Sequence, residues 1–372
     1  MRIAIIGQKG IPAVSGGVET HVEELAAQMA DRGHEVIVYT RPNYTDKSLK
    51  MYRGVHLVSL PSIPTKHLDA ISHTVLACFD LLRRRVDVVH FHSIGPSIMI
   101  WLVKILKPRI PVVATFHTLC YLHKKWGSFA RFSLKLGEKT CCKLADRVIT
   151  ISEGLQTYAE ASYKRKANYI PNGVNTGIAQ AANIIDEKWS LSKDSYIVMV
   201  SRLIQHKGIH YAIQAFKKLN TDKKLVIVGD GFFTDSYVEE LRAMAAEDDR
   251  IIFTGRQSGQ ALAELYSNAY LFIQPSESEG LSISLLEAMS YGTNVLVSDI
   301  PENKEAVLDI GYTFSNKDAN DLTEKLKYLL DNKEELNARS AYLIKHVNEN
   351  YNWNKITTDV LNLYEEAIAE KK

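Results

Sequence analysis

Short apolar strands alternate with helical segments in two successive series, and this pattern constrains the fold of the chain most. Strand-like runs rich in Val and Ile are predicted first at residues 2–6, 35–39, 55–60, 86–90, 112–116 and 147–151. The second series is predicted at residues 196–201, 224–228, 251–254, 271–274 and 294–298. Such strands, separated by helices, are typical of parallel sheets covered on both faces. The sequence therefore predicts an α/β protein with two Rossmann-like, doubly wound parallel-sheet domains facing each other across a cleft.

The boundary between the two series is predicted at a turn. The run Pro171–Asn175 (PNGVN) has strong turn chemistry and follows a strand-like segment. The length of 372 residues is sufficient for two domains. We therefore predict an N-terminal domain at 1–174 and a C-terminal domain at 175–352. A last helix at 353–372 is predicted to pack back on the N-terminal domain.

The net charge of +2 hides a strong asymmetry between the two halves. Residues 1–180 contain 24 Lys and Arg against 13 Asp and Glu, a net charge of +11. Residues 181–372 contain 21 against 30, a net charge of −9. A basic half attracts an anionic partner, such as a lipid surface or a phosphorylated acceptor. Nucleic acid is disfavoured, because no nucleic-acid-binding motif is present.

The segment at 124–147 interleaves Trp126, Phe129 and Phe132 with many cations, which suits contact with an anionic membrane surface. The alternative is an amphipathic helix packed on its own domain. No apolar run approaches the length of a membrane span, and the N-terminus lacks a signal-peptide pattern. We therefore predict a cytoplasmic protein that binds peripherally to the inner face of the cytoplasmic membrane.

Four loops combine glycine or charge with the start of a helix, as phosphate-binding loops do. In an α/β fold such loops lie at the carboxyl ends of the strands. The first loop is neither a G-x-G-x-x-G nor a P-loop motif. The candidate residues in these loops are Gly16 and Gly17, Arg202 and Lys207, Gly229, and Glu279 with Gly280, Leu281, Ser282 and Ile283.

Two carboxylates flank the start of the last of these helices. Glu287 follows Glu279 by eight residues, so their backbones are about 12 Å apart at a helical rise of ~1.5 Å per residue. The paired carboxylates of glycosidases are only about 5–9.5 Å apart. Two carboxylates that bind hydroxyl groups at opposite ends of a long polyhydroxylated ligand therefore fit the spacing better than an acid/base pair.

Six motifs follow one another along nearly the whole chain. They are GGVE at Gly16–Glu19, TFH at Thr115–His117, IPNGVN at Ile170–Asn175, SRLIQHKG at Ser201–Gly208, VGDG at Val228–Gly231 and E-x7-E at Glu279–Glu287. In their order and spacing these motifs resemble family 4 of the retaining glycosyltransferases, which have the GT-B fold.

The resemblance implies that the C-terminal domain binds a nucleotide-sugar donor. Arg202 and Lys207 would hold the donor diphosphate and stabilise it as it leaves. Glu279 would hydrogen-bond the donor sugar, helped by the backbone at 280–283, and Glu287 would bind the ribose hydroxyls. The base would sit near Arg256, mostly against backbone.

The resemblance implies that the N-terminal domain binds the acceptor. Gly16 and Gly17 would approach the diphosphate or the acceptor, and His117 would line the cleft beside the reacting sugar. His90 and His92 are weaker candidates for the same role. The family often has glycine at the position of Ser282 and aspartate at that of Asn175, and Ser282 could alter the contacts to the donor sugar.

The expected reaction needs neither a cofactor nor a metal. No Asp-x-Asp motif occurs in the chain, so Arg202, Lys207 and helix N-termini would meet the charge of the departing nucleotide. The resemblance implies retention by a front-face displacement. The donor remains open among UDP-glucose, UDP-N-acetylglucosamine and GDP-mannose. The acceptor would be a saccharide or a lipid-linked molecule, in cell-surface polysaccharide or glycolipid synthesis.

Three other functions compete with transfer. A nucleotide-sugar epimerase also binds a UDP-sugar, but it needs further carboxylates near the sugar. An NAD-dependent dehydrogenase needs the missing G-x-G-x-x-G motif. A catalytically inactive subunit that only binds nucleotide sugars is disfavoured by the presence of Arg202, Lys207, Glu279 and Glu287.

Overall fold

The computed structural model describes residues 1–65, 68–122, 127–231 and 234–371. The chain divides into two compact units. The first unit contains Met1–Asn172 and Trp353–Lys372, and the second contains Gly173–Asn352. The sequence placed the corresponding boundaries after residues 174 and 352.

The first unit is built on an eight-stranded sheet with the order β3-β4-β2-β1-β5-β6-β7-β8. Every neighbouring pair is parallel except β3 and β4. The strands are β1 (Arg2–Ile6), β2 (Glu35–Thr40), β3 (Met51–Tyr52), β4 (Val55–Ser59), β5 (Val88–His92), β6 (Val112–Phe116), β7 (Arg147–Thr150) and β8 (Asn168–Tyr169). The helices are α1 (Gly17–Asp31), α2 (Asp69–Asp80), α3 (Ile94–Ser97), α4 (Ile100–Leu106), α5 (Ser128–Leu144) and α6 (Glu153–Tyr163), with single 3₁₀ turns at Leu81–Arg83 and Cys120–Leu122.

The second unit has a six-stranded, wholly parallel sheet with the order β11-β10-β9-β12-β13-β14. Its strands are β9 (Tyr196–Val200), β10 (Lys224–Val228), β11 (Ile251–Gly255), β12 (Leu271–Gln274), β13 (Val295–Ser298) and β14 (Tyr312–Phe314). Its helices are α7 (Ile184–Trp189), α8 (Ile209–Phe216), α9 (Asp235–Ala245), α10 (Gly259–Ser267), α11 (Ile283–Ser290), α12 (Pro301–Val307), α13 (Ala319–Asp331) and α14 (Lys333–Asn350), with a 3₁₀ turn at Gln205–Lys207.

The last helix, α15 (Trp353–Ala369), belongs to the first unit. Its apolar side chains recur every three or four residues, so they form one face. Trp353, Ile356, Val360 and Tyr364 on this face are almost fully buried in the core of the first unit, together with residues of α1 and the central strands. This burial attaches the end of the chain to the N-terminal sheet.

Both sheets reverse their winding at one point, where ligands bind in doubly wound folds. In the first sheet the reversal lies between β1 and β5, and in the second it lies between β9 and β12. The loops that follow these four strands are therefore the places to look for function. They contain most of the candidates drawn from the sequence.

None of the described helices combines the length and the apolar character needed to span a bilayer. The apolar run at residues 94–103 lies in α3 and α4, two short helices of the first unit.

Candidate active site

The loops after β9 and β12 meet through a pair of opposite charges. Lys207 Nζ donates a hydrogen bond of 2.5 Å to Glu279 Oε1. The two side chains are only 14% and 9% exposed, so the pair is largely shielded from water. Arg202 lies at the start of the same loop as Lys207 and is partly buried. The structure therefore brings Lys207, predicted to bind the diphosphate, next to Glu279, predicted to bind the sugar, at the reversal point of the sheet.

Two glycines allow neighbouring loops of the second unit to approach closely. Gly208 has φ +70°, and a Cβ there would lie 1.9 Å from the Pro275 carbonyl oxygen. Gly229 has φ +137°, and a Cβ there would lie 1.8 Å from the Ser201 carbonyl oxygen. Any side chain at either position would force the backbones apart, so both glycines are required by the geometry of the site.

The loops after β10 and β11 are joined by Asp230. The backbone N–H of Arg256 donates to Asp230 Oδ2 at 3.2 Å, and the N–H of Gly229 donates to the Gly255 carbonyl at 2.9 Å. Arg256 itself is exposed. The predicted base-binding loop thus lies directly beside Gly229.

The helix after β12 begins at Ile283, with Ser282 as its N-cap residue. The Ser282 hydroxyl donates to Gln274 Oε1 at 2.6 Å, and Gln274 in turn donates to Asn303 Oδ1 at 2.8 Å. Gly280 and Leu281, which precede it, are buried. The Ser282 side chain is therefore engaged inside the second unit.

Glu287 lies on α11, one turn from its end, and is partly buried. Tyr266 of α10 donates its hydroxyl to Glu287 Oε2 at 2.9 Å. Burial raises the pKa of the Glu287 carboxyl to about 7, although the Tyr266 hydrogen bond acts in the opposite direction. A carboxyl with this pKa changes its charge near neutral pH and can serve as a pH-sensitive acceptor for hydroxyl groups.

In the first unit, the turn before α1 is closed by Glu19. Gly16 has φ +107°, and a Cβ there would lie 2.1 Å from Glu19 Oε2. The Lys9 N–H donates to Glu19 Oε1 at 3.1 Å, which ties the loop after β1 to the first turn of α1. Gly17 opens the helix itself. A compact glycine turn therefore lies at the reversal point of the first sheet.

His117 follows β6 and lies in a buried cluster of histidine rings. Its Nε2 is hydrogen-bonded to His92 Nδ1 at 3.0 Å, and the two rings stack with centroids 5.3 Å apart. His21 of α1 meets the His117 ring edge-on at 5.2 Å. Burial lowers the pKa of His92 and His117 well below the usual value, so both imidazoles are neutral.

The strand β5 begins and ends two residues later than predicted, and this places His90 and His92 both within it. Alternate residues of a strand share a face, and the two rings lie 4.1 Å apart. His90 has a different environment, since its Nδ1 and Nε2 are hydrogen-bonded to the hydroxyls of Tyr364 and Thr115 at 2.6 and 2.7 Å.

Within the described part of the chain, one group of side chains converges closely enough to hold a metal ion. Ligand nitrogens of His21, His92 and His117 all lie within 4.8 Å of one another. Neutral imidazoles are metal ligands. The sequence predicted no metal site, and it contained no signal for the convergence of His21, which lies on a helix some seventy residues before His92.

Sequence reasoning also missed Asp230 and Tyr266. Asp230 lies inside the VGDG motif, where its carboxylate could have been noticed as a link between loops. Tyr266 is contributed by a neighbouring helix, and no spacing in the sequence connects it with Glu287.

Two family models match the chain. The model described as Glycosyltransferase Family 4 matches residues 15–177, and the model described as Glycosyl transferases group 1 matches residues 182–346. The motif residues described above lie within these matches. The chain belongs to the family 4 glycosyltransferases.

Related proteins match the sequence of this glycosyltransferase over most of its length. It is 25% identical to an uncharacterized glycosyltransferase of Methanocaldococcus jannaschii, with 99% of each chain covered. It is 27% identical to the alpha-monoglucosyldiacylglycerol synthase of Streptococcus pneumoniae, with 83% of this chain and 74% of the relative covered.

Solved structures support the same fold. The sucrose-phosphate synthase of Thermosynechococcus elongatus matches with a TM-score of 0.86 at 21% identity, covering 99% of both chains. HepE of Anabaena, in complex with UDP-glucose, matches with a TM-score of 0.83 at 18% identity, covering 98% of this chain and 100% of HepE. The predicted α/β fold of GT-B type, with two parallel-sheet domains, is confirmed.

Proposed function

We propose that this glycosyltransferase is a retaining, metal-independent enzyme that transfers a sugar from a UDP-sugar to a hydroxyl of a lipid-linked or saccharide acceptor. The reaction would serve the synthesis of a cell-surface polysaccharide or glycolipid. The Lys207–Glu279 pair carries the proposal, because it puts a cation suited to a diphosphate beside a carboxylate suited to sugar hydroxyls.

The proposed chemistry follows from these charges. As the bond between the anomeric carbon and the diphosphate oxygen breaks, Lys207 and Arg202 stabilise the negative charge that develops on that oxygen. The acceptor hydroxyl attacks from the same face, and its proton passes to the leaving phosphate oxygen. Glu279 holds the donor sugar during this step. His117 is proposed to hydrogen-bond a saccharide hydroxyl.

Nucleotide binding is proposed for the second unit. Glu287 would accept hydrogen bonds from the ribose hydroxyls, and the loop at Arg256 would contact the base. The choice of UDP is supported by HepE, a protein of the same fold whose structure contains UDP-glucose.

An anionic or lipid acceptor is supported by two observations. The first half of the chain, residues 1–180, has a net charge of +11. The synthase of Streptococcus pneumoniae, a relative, is named for a glucosylated diacylglycerol. We propose that the first unit binds the acceptor at the inner surface of the cytoplasmic membrane.

The helix α5 offers a surface for this contact. Phe129 and Phe132 are 80% and 66% exposed, and Leu136 is 40% exposed on the same face. Four exposed cations accompany them, namely Arg131, Lys135, Lys139 and Lys143. We call these seven side chains the α5 surface. Trp126, the third aromatic residue of the predicted segment, lies outside the described residues together with Lys124 and Lys125.

The α5 surface predicts binding to anionic vesicles. The double variant Phe129→Ser/Phe132→Ser is expected to bind vesicles containing phosphatidylglycerol at least about tenfold more weakly, because each buried phenylalanine contributes about 1.5–3 kcal/mol. Co-sedimentation at low and high salt measures this. The matched control is Tyr342→Ser, which removes an aromatic ring that is 63% exposed on the second unit. Equal binding by the double variant and the wild type, or no binding to anionic vesicles at low salt, would contradict the prediction.

The donor is tested with purified protein in the presence of a metal chelator. Thermal-shift measurements with UDP, GDP, TDP, their sugars and NAD are expected to show stabilisation by uridine nucleotides. Transfer from UDP-glucose to diacylglycerol, without added metal, should give an α-linked product by NMR. Stabilisation by NAD alone, release of an epimerised sugar without acceptor, or a strict requirement for a divalent cation would refute the proposal as stated.

A further inference from the structure

The buried histidines of the first unit differ in how completely their nitrogens are hydrogen-bonded. His90 has hydroxyl partners on both ring nitrogens, which fix it as part of the core. His92 has a partner on Nδ1 alone, and its Nε2 is fully buried without any hydrogen-bond partner. His117 has its one hydrogen bond within the described residues on Nε2. Within the described residues, the outer nitrogens of this pair, His92 Nε2 and His117 Nδ1, therefore have no hydrogen-bond partner.

A single proton lies between the two rings. Both imidazoles are neutral, so one nitrogen of the 3.0 Å contact carries a hydrogen and the other accepts it. If His117 Nε2 donates, His92 carries its own proton on Nε2, and a buried N–H is left without an acceptor. If His92 Nδ1 donates, His92 Nε2 is a bare nitrogen and His117 carries its proton on Nδ1. Buried N–H groups without an acceptor are rare in proteins, which favours the second arrangement.

We propose that His92 is a positioning residue that donates its Nδ1 hydrogen to His117 Nε2 and thereby holds His117 as a neutral hydrogen-bond donor, through Nδ1, to a hydroxyl oxygen of the bound saccharide. This inference rests on the proposed role of His117 in the transferase. It adds a residue that does not touch the substrate but sets which nitrogen of His117 carries the proton.

The position of His92 suits this role. It is the last residue of β5, and His92 pairs in register with Thr115 on the neighbouring strand β6, two residues before His117. A Cβ on Gly7 would lie 2.3 Å from the His92 carbonyl oxygen, so the loop after β1 packs directly on its backbone. The side chain is fully buried. A group held in this way by strands and a tight loop can fix the orientation of its neighbour.

The proton positions can be read without any enzymatic assay. We expect the imidazole nitrogens of ¹⁵N-labelled protein, assigned by two-dimensional NMR, to show His117 with its proton on Nδ1. In His92→Leu the hydrogen bond is absent, and His117 should shift toward the Nε2-protonated form. In His92→Asn it should return to the Nδ1 form, because the asparagine amide nitrogen occupies the place of Nδ1 in the chain of bonds. A wild-type His117 protonated on Nε2 would overturn the proposal.

Kinetics separate positioning from general stability. His92→Leu is expected to lower kcat about tenfold, the effect of losing one well-placed hydrogen bond. His92→Asn should recover most of this loss, and UDP affinity should stay unchanged in both. The control is Tyr364→Phe, which removes the hydroxyl beside His90 but leaves the His92–His117 bond in place. If Tyr364→Phe lowers kcat as much as His92→Leu, or His92→Asn recovers nothing, the positioning role is wrong.

Two other results would lead to different conclusions. Zn²⁺ that raises the melting temperature of the wild type, but not of His21→Ala, would show that the three histidines hold a metal instead, and would overturn the proposal. Failure to find any donor would refute the proposed function, whereas the NMR measurement would still decide which nitrogen of His117 is protonated.

Discussion

Replacing Lys207 with alanine is expected to lower kcat by about 10²–10³-fold, the usual effect of removing one preorganised group that meets developing charge. Lys207 lies on the loop after β9, at the reversal point of the second sheet, and the next residue, Gly208, packs against the Pro275 carbonyl. The leaving diphosphate carries more negative charge in the transition state than in the intact donor. Loss of the cation should therefore affect turnover more than the binding of the intact donor.

The substitution also leaves Glu279 unpaired in a shielded place, and a buried charge without its partner destabilises a protein. The double variant Lys207→Ala/Glu279→Gln addresses this, because the neutral amide needs no counter-charge. We expect the double variant to recover the melting temperature lost in Lys207→Ala but none of the lost kcat. If activity returns together with stability, Lys207 acts only by pairing with Glu279, and its role in the departure of the nucleotide is refuted.

Lys217→Ala provides the matched control. Lys217 forms a 3.7 Å ion pair with Glu247 on the exposed surface of the second unit. Exposed pairs of this kind contribute about 0–1 kcal/mol. This variant is expected to retain wild-type kcat and melting temperature, which would show that loss of a lysine is not harmful in itself.

The sequence predicted the architecture well because strand and helix periodicity depends on local side-chain pattern. The predicted strands at residues 2–6, 112–116, 224–228 and 271–274 agree with the structure to the residue. The strand β5 was placed two residues too early because Val86 extends the apolar pattern across Asp87, so the ends of this strand could not be read from pattern alone. The short strands β3 and β14 and the short helix α12 were missed because such segments are too short to show a period.

The contacts at the site were harder to predict, because they join residues that are distant in sequence. The motifs predicted that Lys207 and Glu279 serve one ligand, but not that they form a direct ion pair across 72 residues. The link from His92 to His117 spans 25 residues and depends on the register of β5 against β6. Periodicity carries no information on register between strands, so these partners became visible only in the fold.

Glu287→Gln is expected to weaken UDP binding at pH 8 by about 10–100-fold, because a hydrogen bond to a charged group contributes about 1.5–3 kcal/mol. The proposed ribose contact requires the carboxylate. Since burial raises the Glu287 pKa to about 7, protonation should weaken UDP binding by the wild type as the pH falls below 7. Isothermal titration calorimetry between pH 5.5 and 8.5 measures this. The variant should bind weakly with a nearly flat profile over the same range.

The variant Tyr266→Phe tests whether Glu287 is the group whose protonation weakens UDP binding. The Tyr266 hydroxyl stabilises the Glu287 carboxylate and lowers its pKa relative to the effect of burial alone. Without the hydroxyl the midpoint of UDP binding should move to higher pH, while the affinity at pH 8.5 changes less than in Glu287→Gln. A midpoint that stays in place, or a pH dependence that survives in Glu287→Gln, would assign the proton to another group.

The same carboxyl affects the stability of the ligand-free protein in the opposite sense. Its pKa is about 7 in the fold and near 4.5 in the unfolded chain, so the folded state holds the proton more tightly between these values. Its contribution to stability is therefore lost as the pH rises from 4.5 through 7. Glu287→Gln should raise the melting temperature at pH 8 and have little effect at pH 4.5. Weaker UDP binding together with a more stable ligand-free fold is the result expected of a carboxylate retained for its ligand, whereas a purely structural Glu287 would lose stability at both pH values.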